Sequence, residues 1–292
     1  MKLTKVTHLL FLFLAFNLTN AQDDLLDQLD SIQPKEKGIA TAAFKGLQVC
    51  NMQSTKLPVK GEFYFLVSHR FGDLSNGLDN FFGLDNALTK IGGIWGVTNW
   101  LSLGASRHTY NKTYELAAKY KFISQREEGF PFTIVGYNTM DINSDLKKDN
   151  NPQLVFQNRL QYSSQLIISR KFSESFSMQV LPIFVHKNLY DNTIDQKETF
   201  LIGAGGRYKL SKRLSLNAEY AYRTNVDSGL SNSPFNNPLT VGLDIETGGH
   251  VFQLVFANSQ PMNDVAMLTN ARGNWDFKRG PLYFGFNMYR VF

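Results

Sequence analysis

Apolar and polar residues alternate along most of this chain from residue 59 onward. In the stretch TYELAAKYKF, apolar or aromatic residues occupy every second position, and mostly charged residues lie between them. The stretches FLIGAGGRYKL and LSLNAEYAYR repeat this pattern further along. A period of two places successive side chains on opposite faces of a β-strand. The chain is therefore predicted to be all-β, with strands that have one apolar and one polar face.

The links between these segments alternate in length. Short links such as 98–99 and 211–212 are followed by long ones such as 141–152 and 259–279. This sorting, with an even number of strands, is typical of bacterial outer-membrane barrels. The sequence therefore predicts a membrane-spanning antiparallel β-barrel of about twelve strands, with both termini on the periplasmic side. The predicted strands are 59–71, 86–97, 100–107, 112–123, 130–140, 153–171, 176–187, 198–210, 213–223, 238–247, 250–258 and 280–292.

The first residues have the features of a secretory leader. Lys2 and Lys5 precede an apolar run at 9–16, and small residues lie before Ala21. We predict a signal peptide at 1–21 that is cleaved after Ala21. The run is shorter than the roughly 20 residues that a helix needs to cross a bilayer. Later segments contain no apolar run of that length, so any membrane crossing requires a closed barrel.

Residues 22–58 are predicted to form an N-terminal periplasmic extension that precedes a barrel at 59–292. The stretch DDLLDQLDSI spaces its leucines as one face of a short helix, with acidic residues at its start. The following stretch IATAAFKGLQVCNM fits an extra strand, a partial plug or a hairpin, and the sequence leaves all three open. Cys50 is the single cysteine, which excludes an internal disulfide framework and a cysteine-rich zinc site.

The chain ends on an aromatic residue inside a predicted strand. Phe284, Phe286, Met288 and Phe292 share one face of this strand, and Arg290 interrupts it. An apolar lipid face with a terminal aromatic residue resembles the assembly signal that the outer-membrane insertion machinery reads. The expected partners are therefore this machinery and outer-membrane lipids. The net charge is +5, or +3 without Lys2 and Lys5, and no basic block occurs, so nucleic acid is not expected as a partner.

Four stretches resemble a β-barrel family of Bacteroidota bacteria whose function is uncharacterised. They are KGEFYFLVSHRFGDL, NFFGLDNA, KTYELAAKYKFISQ and GGHVFQLVFANSQPM. The most specific pieces are SHRFG, FGLD and GHVFQ. The resemblance implies an outer-membrane barrel of a Gram-negative organism, and it implies no catalytic residues.

Charged residues on the predicted inward face form the candidate functional site. A basic excess inside a narrow pore would focus the electrostatic potential and favour anions. The same charges could instead pair within a closed interior, because about twelve strands leave at most a slim lumen. The sequence predicts a narrow channel or transporter for small solutes; the alternative is a non-conducting structural or partner-binding barrel. The candidates are Glu62, Arg70, Lys90, Glu115, Lys119, Lys121, Arg159, Arg207, Lys209, Glu219 and Arg223, together with Asp244 and Glu246.

Two motifs could carry other chemistry. Ser106, His108 and Asn111 have the residue types of an outer-membrane esterase, a distant third hypothesis because inward side chains do not meet lipid tails. Asp141, Asn143 and Asp145 have calcium-loop spacing, but the glycine and glutamate expected further along the motif are missing. We therefore expect no enzyme activity, no cofactor and no metal.

Overall fold

A computed structural model of the protein describes residues 42–230, 233–247, 250–275 and 280–292. The signal peptide predicted at 1–21 and the helix predicted in DDLLDQLDSI lie outside the described residues. Within the described ranges, no helix has both the length and the apolar character that a membrane crossing needs.

Twelve antiparallel strands form a closed barrel. Each strand pairs with its neighbours in sequence, and β12 pairs with β1, which confirms the predicted fold class. At the seam between them, the backbone N–H groups of Phe63 and Phe292 each donate to the other residue's carbonyl oxygen. The strands are β1 (Phe63–Asp73), β2 (Leu88–Gly96), β3 (Leu101–His108), β4 (Tyr114–Ile123), β5 (Thr133–Ile142), β6 (Leu160–Lys171), β7 (Phe176–Lys187), β8 (Glu198–Lys209), β9 (Leu214–Arg223), β10 (Leu239–Thr247), β11 (His250–Ala257) and β12 (Tyr283–Val291).

Two strands begin at least four residues later than the sequence predicts, which is the largest difference among the twelve. β1 starts at Phe63 because a turn precedes it, in which Gly61 has a φ of 89° and Glu62 N–H donates to Val59 O. β6 starts at Leu160 because a 3₁₀ turn, Phe156–Arg159, precedes it. The Asn158 side chain caps this turn by accepting a hydrogen bond from Val155 N–H. Short-range hydrogen bonds of this kind compete with strand pairing.

The outward face of the barrel is apolar. On β8, Phe200 and Ile202 are 48% and 53% exposed, whereas Leu201 between them is 2% exposed. The same alternation runs along β7 and β9. A band of exposed apolar side chains around a closed barrel is the surface that hydrocarbon covers in a membrane.

The links are sorted by length between the two ends of the barrel. The short-turn end carries the links 97–100, 172–175 and 210–213, and the β4–β5 link, 124–132, is longer than these. The long-loop end carries the links 74–87, 143–159, 188–197, 224–238 and 258–282, and the β3–β4 link, 109–113, is shorter than these. The chain reaches β1 at the short-turn end.

The lumen is filled by two segments of the same chain. The N-terminal plug, residues 42–58, is one of the three arrangements that the sequence left open for this region. The loop plug, residues 258–273, belongs to the β11–β12 link and contains one short helix, α1 (Asp264–Thr269). Most of the residues in both segments are buried. The barrel interior is therefore a packed core whose two occupants come from distant parts of the sequence.

Candidate functional site

The N-terminal plug carries a tight turn into the lumen. Gln48 and Gln53 form an antiparallel bridge, and Ser54 N–H donates to Leu47 O at 3.0 Å. Cys50 and Asn51 lie at the tip of this turn, and Cys50 is completely buried. The turn therefore presents its backbone N–H groups to the barrel wall.

The carboxylate of Glu219 on β9 receives this turn. It accepts hydrogen bonds from Cys50 N–H at 3.0 Å, Asn51 N–H at 2.7 Å and Met52 N–H at 3.0 Å. Successive backbone N–H groups that converge in this way form an anion-binding nest, and hydrogen bonds to a charged acceptor are stronger than neutral ones. Glu219 is thus the principal anchor of the N-terminal plug.

Other wall residues bind the carbonyl oxygens of the same turn. Asn217 Nδ2 donates to Val49 O at 3.1 Å, and Asn287 Nδ2 donates to Cys50 O at 2.7 Å. Gln179 Nε2 donates to Gln53 O at 2.8 Å. Lys119 Nζ lies 3.0 Å from Leu47 O and 3.1 Å from Ser54 O. The wall therefore recognises the backbone of the plug more than its side chains.

The loop plug is held near the long-loop end by the residues at the start of α1. Gln165 Nε2 donates to Asp264 Oδ1 at 2.8 Å, and Asp264 N–H donates to Glu115 Oε2 at 3.2 Å. Asn263 Nδ2 donates to Asp141 Oδ2 at 2.7 Å. These contacts fix the helix against β4, β5 and β6.

Three buried carboxylates share one buried ammonium group in this region. Lys90 Nζ lies 2.9 Å from Glu115 Oε1, and Asp141 and Asp264 are close enough to interact with the same pair. Burial, followed by the negative charge of Glu115, raises the pKa of Asp264 to about 6. The docking of the loop plug is therefore sensitive to protons.

The two plugs meet in an apolar cluster. Met52 of the N-terminal plug and Leu268 of the loop plug pack in the same cluster as wall residues of β5 to β9. Beside it, a cavity of about 30 Å³ remains along β2, β3 and β4, where the wall is lined by small residues such as Gly92, Gly104 and Ala117. One water needs roughly 10–15 Å³ by this measure, so the cavity holds about two waters. This conformation is closed to solutes.

Most candidate site residues lie on the inward face. Arg70, Lys90, Glu115, Lys119, Arg207, Glu219, Asp244 and Glu246 are buried there. Lys121 and Lys209 have inward positions near the short-turn end and are only half-buried. The structure pairs Lys90 with Glu115 and also pairs Arg207 with Glu246, at 2.6 Å.

Three candidates lie at the rims of the barrel. β1 and β6 begin later than predicted, which leaves Glu62 and Arg159 before them, and Arg223 is the last residue of β9. Glu62 precedes β1 and accepts a hydrogen bond from Val59 N–H at 2.8 Å. Arg159 lies in the 3₁₀ turn before β6 and donates to Asn143 O at 3.0 Å. Arg223 ends β9 and donates to Phe235 O in the β9–β10 link. Their charges belong to the rims of the barrel.

The amide side chains of the wall were missed at the sequence level. Asn217, Gln179, Gln253 and Asn287 all bind the backbone of the N-terminal plug, yet only charged residues were selected as candidates. The sequence could have identified them by position, because each lies on the polar face of an alternating strand. Several amides facing a narrow lumen indicate that a peptide backbone fills it.

The predicted assembly signal lies on the outward face of β12. Phe284 stacks on Phe71 at 5.8 Å between ring centroids, and Phe286 stacks on Phe252 at 5.6 Å. Met288 and Phe292 are exposed on the same face. The guanidinium group of Arg290 lies over the Phe292 ring at 4.8 Å, which covers part of its charge. A role in assembly stays a prediction.

Ser106 and His108 do contact each other, but not in the geometry of a catalytic triad. Ser106 Oγ lies 3.0 Å from His108 Nε2, and Glu115 Oε2 lies 3.7 Å from the same nitrogen. A triad requires the acid on Nδ1, opposite the serine. In the described part of the chain, His108 Nδ1 has no hydrogen-bond partner. The cluster fits a buried polar network around Glu115.

The calcium-like spacing does not produce a calcium site. Asp141 faces the lumen and binds Asn263, whereas Asp145 forms an exposed ion pair with Lys112 at 2.5 Å. The strand and the loop thus direct the two carboxylates to different places. Within the described ranges, no group of three or more His, Cys, Asp or Glu residues could hold a metal ion.

Comparison with protein families identifies the barrel. Residues 44–292 match the family described as "Membrane bound beta barrel domain (DUF5777)". The chain belongs to this family. Membership agrees with the apolar outward band, and no curated protein matches the chain. The Bacteroidota origin implied by the sequence resemblance stays a prediction.

Several solved structures of membrane barrels are similar to this DUF5777 barrel. The KdgM porin is 10% identical with a TM-score of 0.47, and the match covers 78% of this chain and 99% of the porin. The NanC porin is 10% identical with a TM-score of 0.48, over 78% of this chain and 98% of that one. The COG4313 outer membrane channel from Pseudomonas putida F1 is 13% identical with a TM-score of 0.45, over 81% and 97% of the two chains. These values are too low to transfer a solute or a mechanism.

Proposed function

We propose that this barrel is a narrow channel for small solutes in the outer membrane of a Gram-negative bacterium, and that the plugged conformation is its closed state. The observation that carries the proposal is the way in which the wall holds the N-terminal plug. Glu219, Asn217 and Asn287 bind backbone groups of the plug. Water can replace each of these bonds, so the wall remains solvated when the plug leaves.

The barrel itself does not depend on the plug for its backbone hydrogen bonds. All twelve strands bond to neighbouring strands, and the β1–β12 seam completes the circle. A typical intramolecular hydrogen bond contributes only about 0.5–1.5 kcal/mol because water competes for it. When residues 42–58 leave the lumen, the contacts between plug and wall are therefore lost, but the hydrogen bonds between the strands of the barrel remain.

The solute preference follows from the charges on the wall. The buried inward cations are Arg70, Lys90, Lys119, Lys187 and Arg207, and the buried inward carboxylates are Glu115, Asp141, Glu219, Asp244 and Glu246. With five charges of each sign, the buried wall gives no basic excess. The preference for anions predicted from the sequence then rests on Lys121 and Lys209 at the short-turn end. The buried wall fits small polar solutes in general.

A non-conducting barrel is the second candidate, and the apolar cluster favours it. Met52, Val265 and Leu268 pack against wall residues such as Leu181 and Leu201, which are almost completely buried. Exposing this surface to water costs about 25 cal/mol per Å². A barrel that needs this cluster as a core keeps its lumen filled and acts as a scaffold or as a surface for a partner.

A reversible crosslink between plug and wall separates these two functions. A Cβ atom built on Gly242 lies 2.8 Å from Cys50 Sγ, so Gly242→Cys places a second sulfur within reach of a disulfide. In the background Glu219→Gln, which loosens the plug, we expect conductance in planar bilayers under reducing conditions. Oxidation should close the channel, and a reductant should reopen it.

The matched control carries Cys50→Ser together with Glu219→Gln and Gly242→Cys. It cannot form the crosslink, so its conductance should not respond to oxidation. A reduced variant that carries no current, although its Cys50 reacts freely with a thiol reagent, would show that the lumen stays filled after the plug moves. That result would refute the channel and support the non-conducting barrel.

A further inference from the structure

A second and larger cavity lies outside the lumen, at the short-turn end beside the β4–β5 link. Its volume is about 520 Å³, which is within the range of small-molecule sites in proteins. It opens where the lipid-facing side of β4 reaches the end of the barrel. Its lining includes Trp100, Lys121, Phe122, Arg126 and Glu128.

The β4–β5 link that forms this cavity is anchored at its base. Gln125 N–H donates to Thr133 Oγ1 at 2.9 Å, and Gln125 Nε2 donates to Lys171 O at 2.9 Å. Lys171 N–H returns a hydrogen bond to Gln125 Oε1 at 2.8 Å. Arg126 N–H donates to Phe130 O at 2.9 Å, which closes the link above this base. The cavity is therefore formed before any ligand binds.

One side of the cavity is aromatic and continuous with the lipid-facing surface. Phe122, on the outward face of β4, is 62% exposed, and Trp100 is 55% exposed. Tryptophan is enriched at the level of lipid headgroups because its ring is apolar and its N–H is polar. This side fits the glycerol and upper acyl segments of a lipid.

The other side carries charges of both signs. Lys121 and Arg126 supply two cations, and Glu128 supplies one carboxylate. In the part of the chain that the structure describes, none of these three side chains takes part in a salt bridge, whereas Lys171 on the same rim pairs with Glu174 at 3.0 Å. The charges of the cavity are thus free for a ligand that carries both a phosphate and an ammonium group.

We propose that this cavity binds the headgroup of an ethanolamine phospholipid from the leaflet around the short-turn end. Arg126 and Lys121 bind the phosphate, and Glu128 binds the ammonium group. The acyl chains leave the cavity along Phe122 and Trp100 into the hydrocarbon. Basic pockets at the membrane surface bind lipid phosphates in this way. The site lies at the rim, apart from the residues that bind the two plugs, and Lys121 at the short-turn end of the lumen is the residue that it shares with the channel.

The fluorescence of Trp100 reports which lipid lies in the cavity. In a variant that carries Trp95→Phe and Trp275→Phe, which leaves Trp100 as the single tryptophan of the chain, we would reconstitute the protein in phosphatidylcholine bilayers. A small equal fraction of brominated phosphatidylethanolamine, phosphatidylglycerol or phosphatidylcholine is added, and quenching of fluorescence is recorded. We expect the ethanolamine lipid to quench most strongly. Inorganic phosphate in solution should not reverse this quenching, because a free anion lacks the ammonium group and the chains.

The variants Arg126→Gln and Glu128→Gln test the two halves of the headgroup. Arg126→Gln should lower the apparent affinity for the ethanolamine lipid by about fivefold, the effect expected for one basic contact near a membrane surface. Glu128→Gln should remove the preference for ethanolamine over glycerol headgroups. The matched control is Lys212→Gln, which removes an exposed cation of the 210–213 link at the same end of the barrel and should leave the lipid preference unchanged.

Three outcomes would overturn the proposal. The first is equal quenching by all three brominated lipids. The second is stronger quenching by phosphatidylglycerol than by phosphatidylethanolamine, which would exclude the role of Glu128. The third is an equal loss of quenching in Lys212→Gln and Arg126→Gln, which would show a general effect of surface charge. Circular dichroism of each variant verifies that the barrel is folded.

Discussion

The N-terminal plug is held mainly through its backbone, whereas the loop plug is held mainly through its side chains. Glu219 and the wall amides bind N–H and C=O groups of the turn around Cys50. At the other end, Asp264 and Asn263 bind wall residues through their own carboxylate and amide groups. The first type of contact tolerates changes in the plug sequence. The second depends on particular side chains and on their protonation.

The largest effect is expected from Glu219→Ala, which removes the carboxylate that binds the backbone of the N-terminal plug. The change leaves three buried N–H groups without their acceptor, and each such group costs about 1–3 kcal/mol. The plug should undock, and the reaction of Cys50 with a thiol reagent should accelerate by at least about a hundredfold. Cys50 is the single cysteine, so the rate reports on the plug alone.

Gln179→Ala is the graded control for that experiment. It removes one neutral donor to Gln53 O, which is worth about 1 kcal/mol, so the labelling rate should rise only about fivefold. Equal rates in Glu219→Ala and Gln179→Ala would show that Glu219 is not the principal anchor.

Lys90→Met weakens the side-chain contacts that hold the loop plug. Glu115 then loses its buried ammonium partner, and breaking a buried ion pair in this way typically costs about 3–5 kcal/mol. We expect faster proteolysis within residues 258–273 and little change in Cys50 labelling. Adding Glu115→Gln removes the unpaired charge and should restore much of the protection. If Lys90→Met accelerates Cys50 labelling as strongly as Glu219→Ala does, the two plugs are not held independently.

The smallest effect is expected from pH, which changes the stability of the docked loop plug. The pKa of Asp264 is raised to about 6 in the docked loop plug, above the usual range of a carboxyl group. The docked state therefore favours the protonated acid; its stability is greatest at low pH and falls as the pH rises through about 6. Hydrogen exchange, corrected for the intrinsic rate, should show stronger protection of 264–269 at pH 5 than at pH 7.5. Asp264→Asn should remove this difference.

The sequence predicted the barrel from two local properties, the alternation at a period of two within each strand and the alternating lengths of the links. For IATAAFKGLQVCNM it left a partial plug open beside an extra strand and a hairpin, since nothing in this stretch shows which distant wall its backbone bonds will meet. The burial of 258–273 was missed for a related reason, because long links usually lie on the surface. Glu219 was placed correctly on the inward face. Its partners, however, lie more than 160 residues away in sequence, so its role as an anchor required the three-dimensional structure.

The seam between β1 and β12 has a consequence for biogenesis. It joins the first strand to the last, so the ring cannot close until nearly the whole chain has been delivered. Contacts this far apart in sequence form slowly, because a long loop must be closed before they yield any stability. The N-terminal plug precedes β1 in the chain, so it lies beside an open sheet while the later hairpins are added. A chain that stops before β12 would leave the edges of β1 and β11 unpaired in hydrocarbon, where unpaired backbone groups are not tolerated.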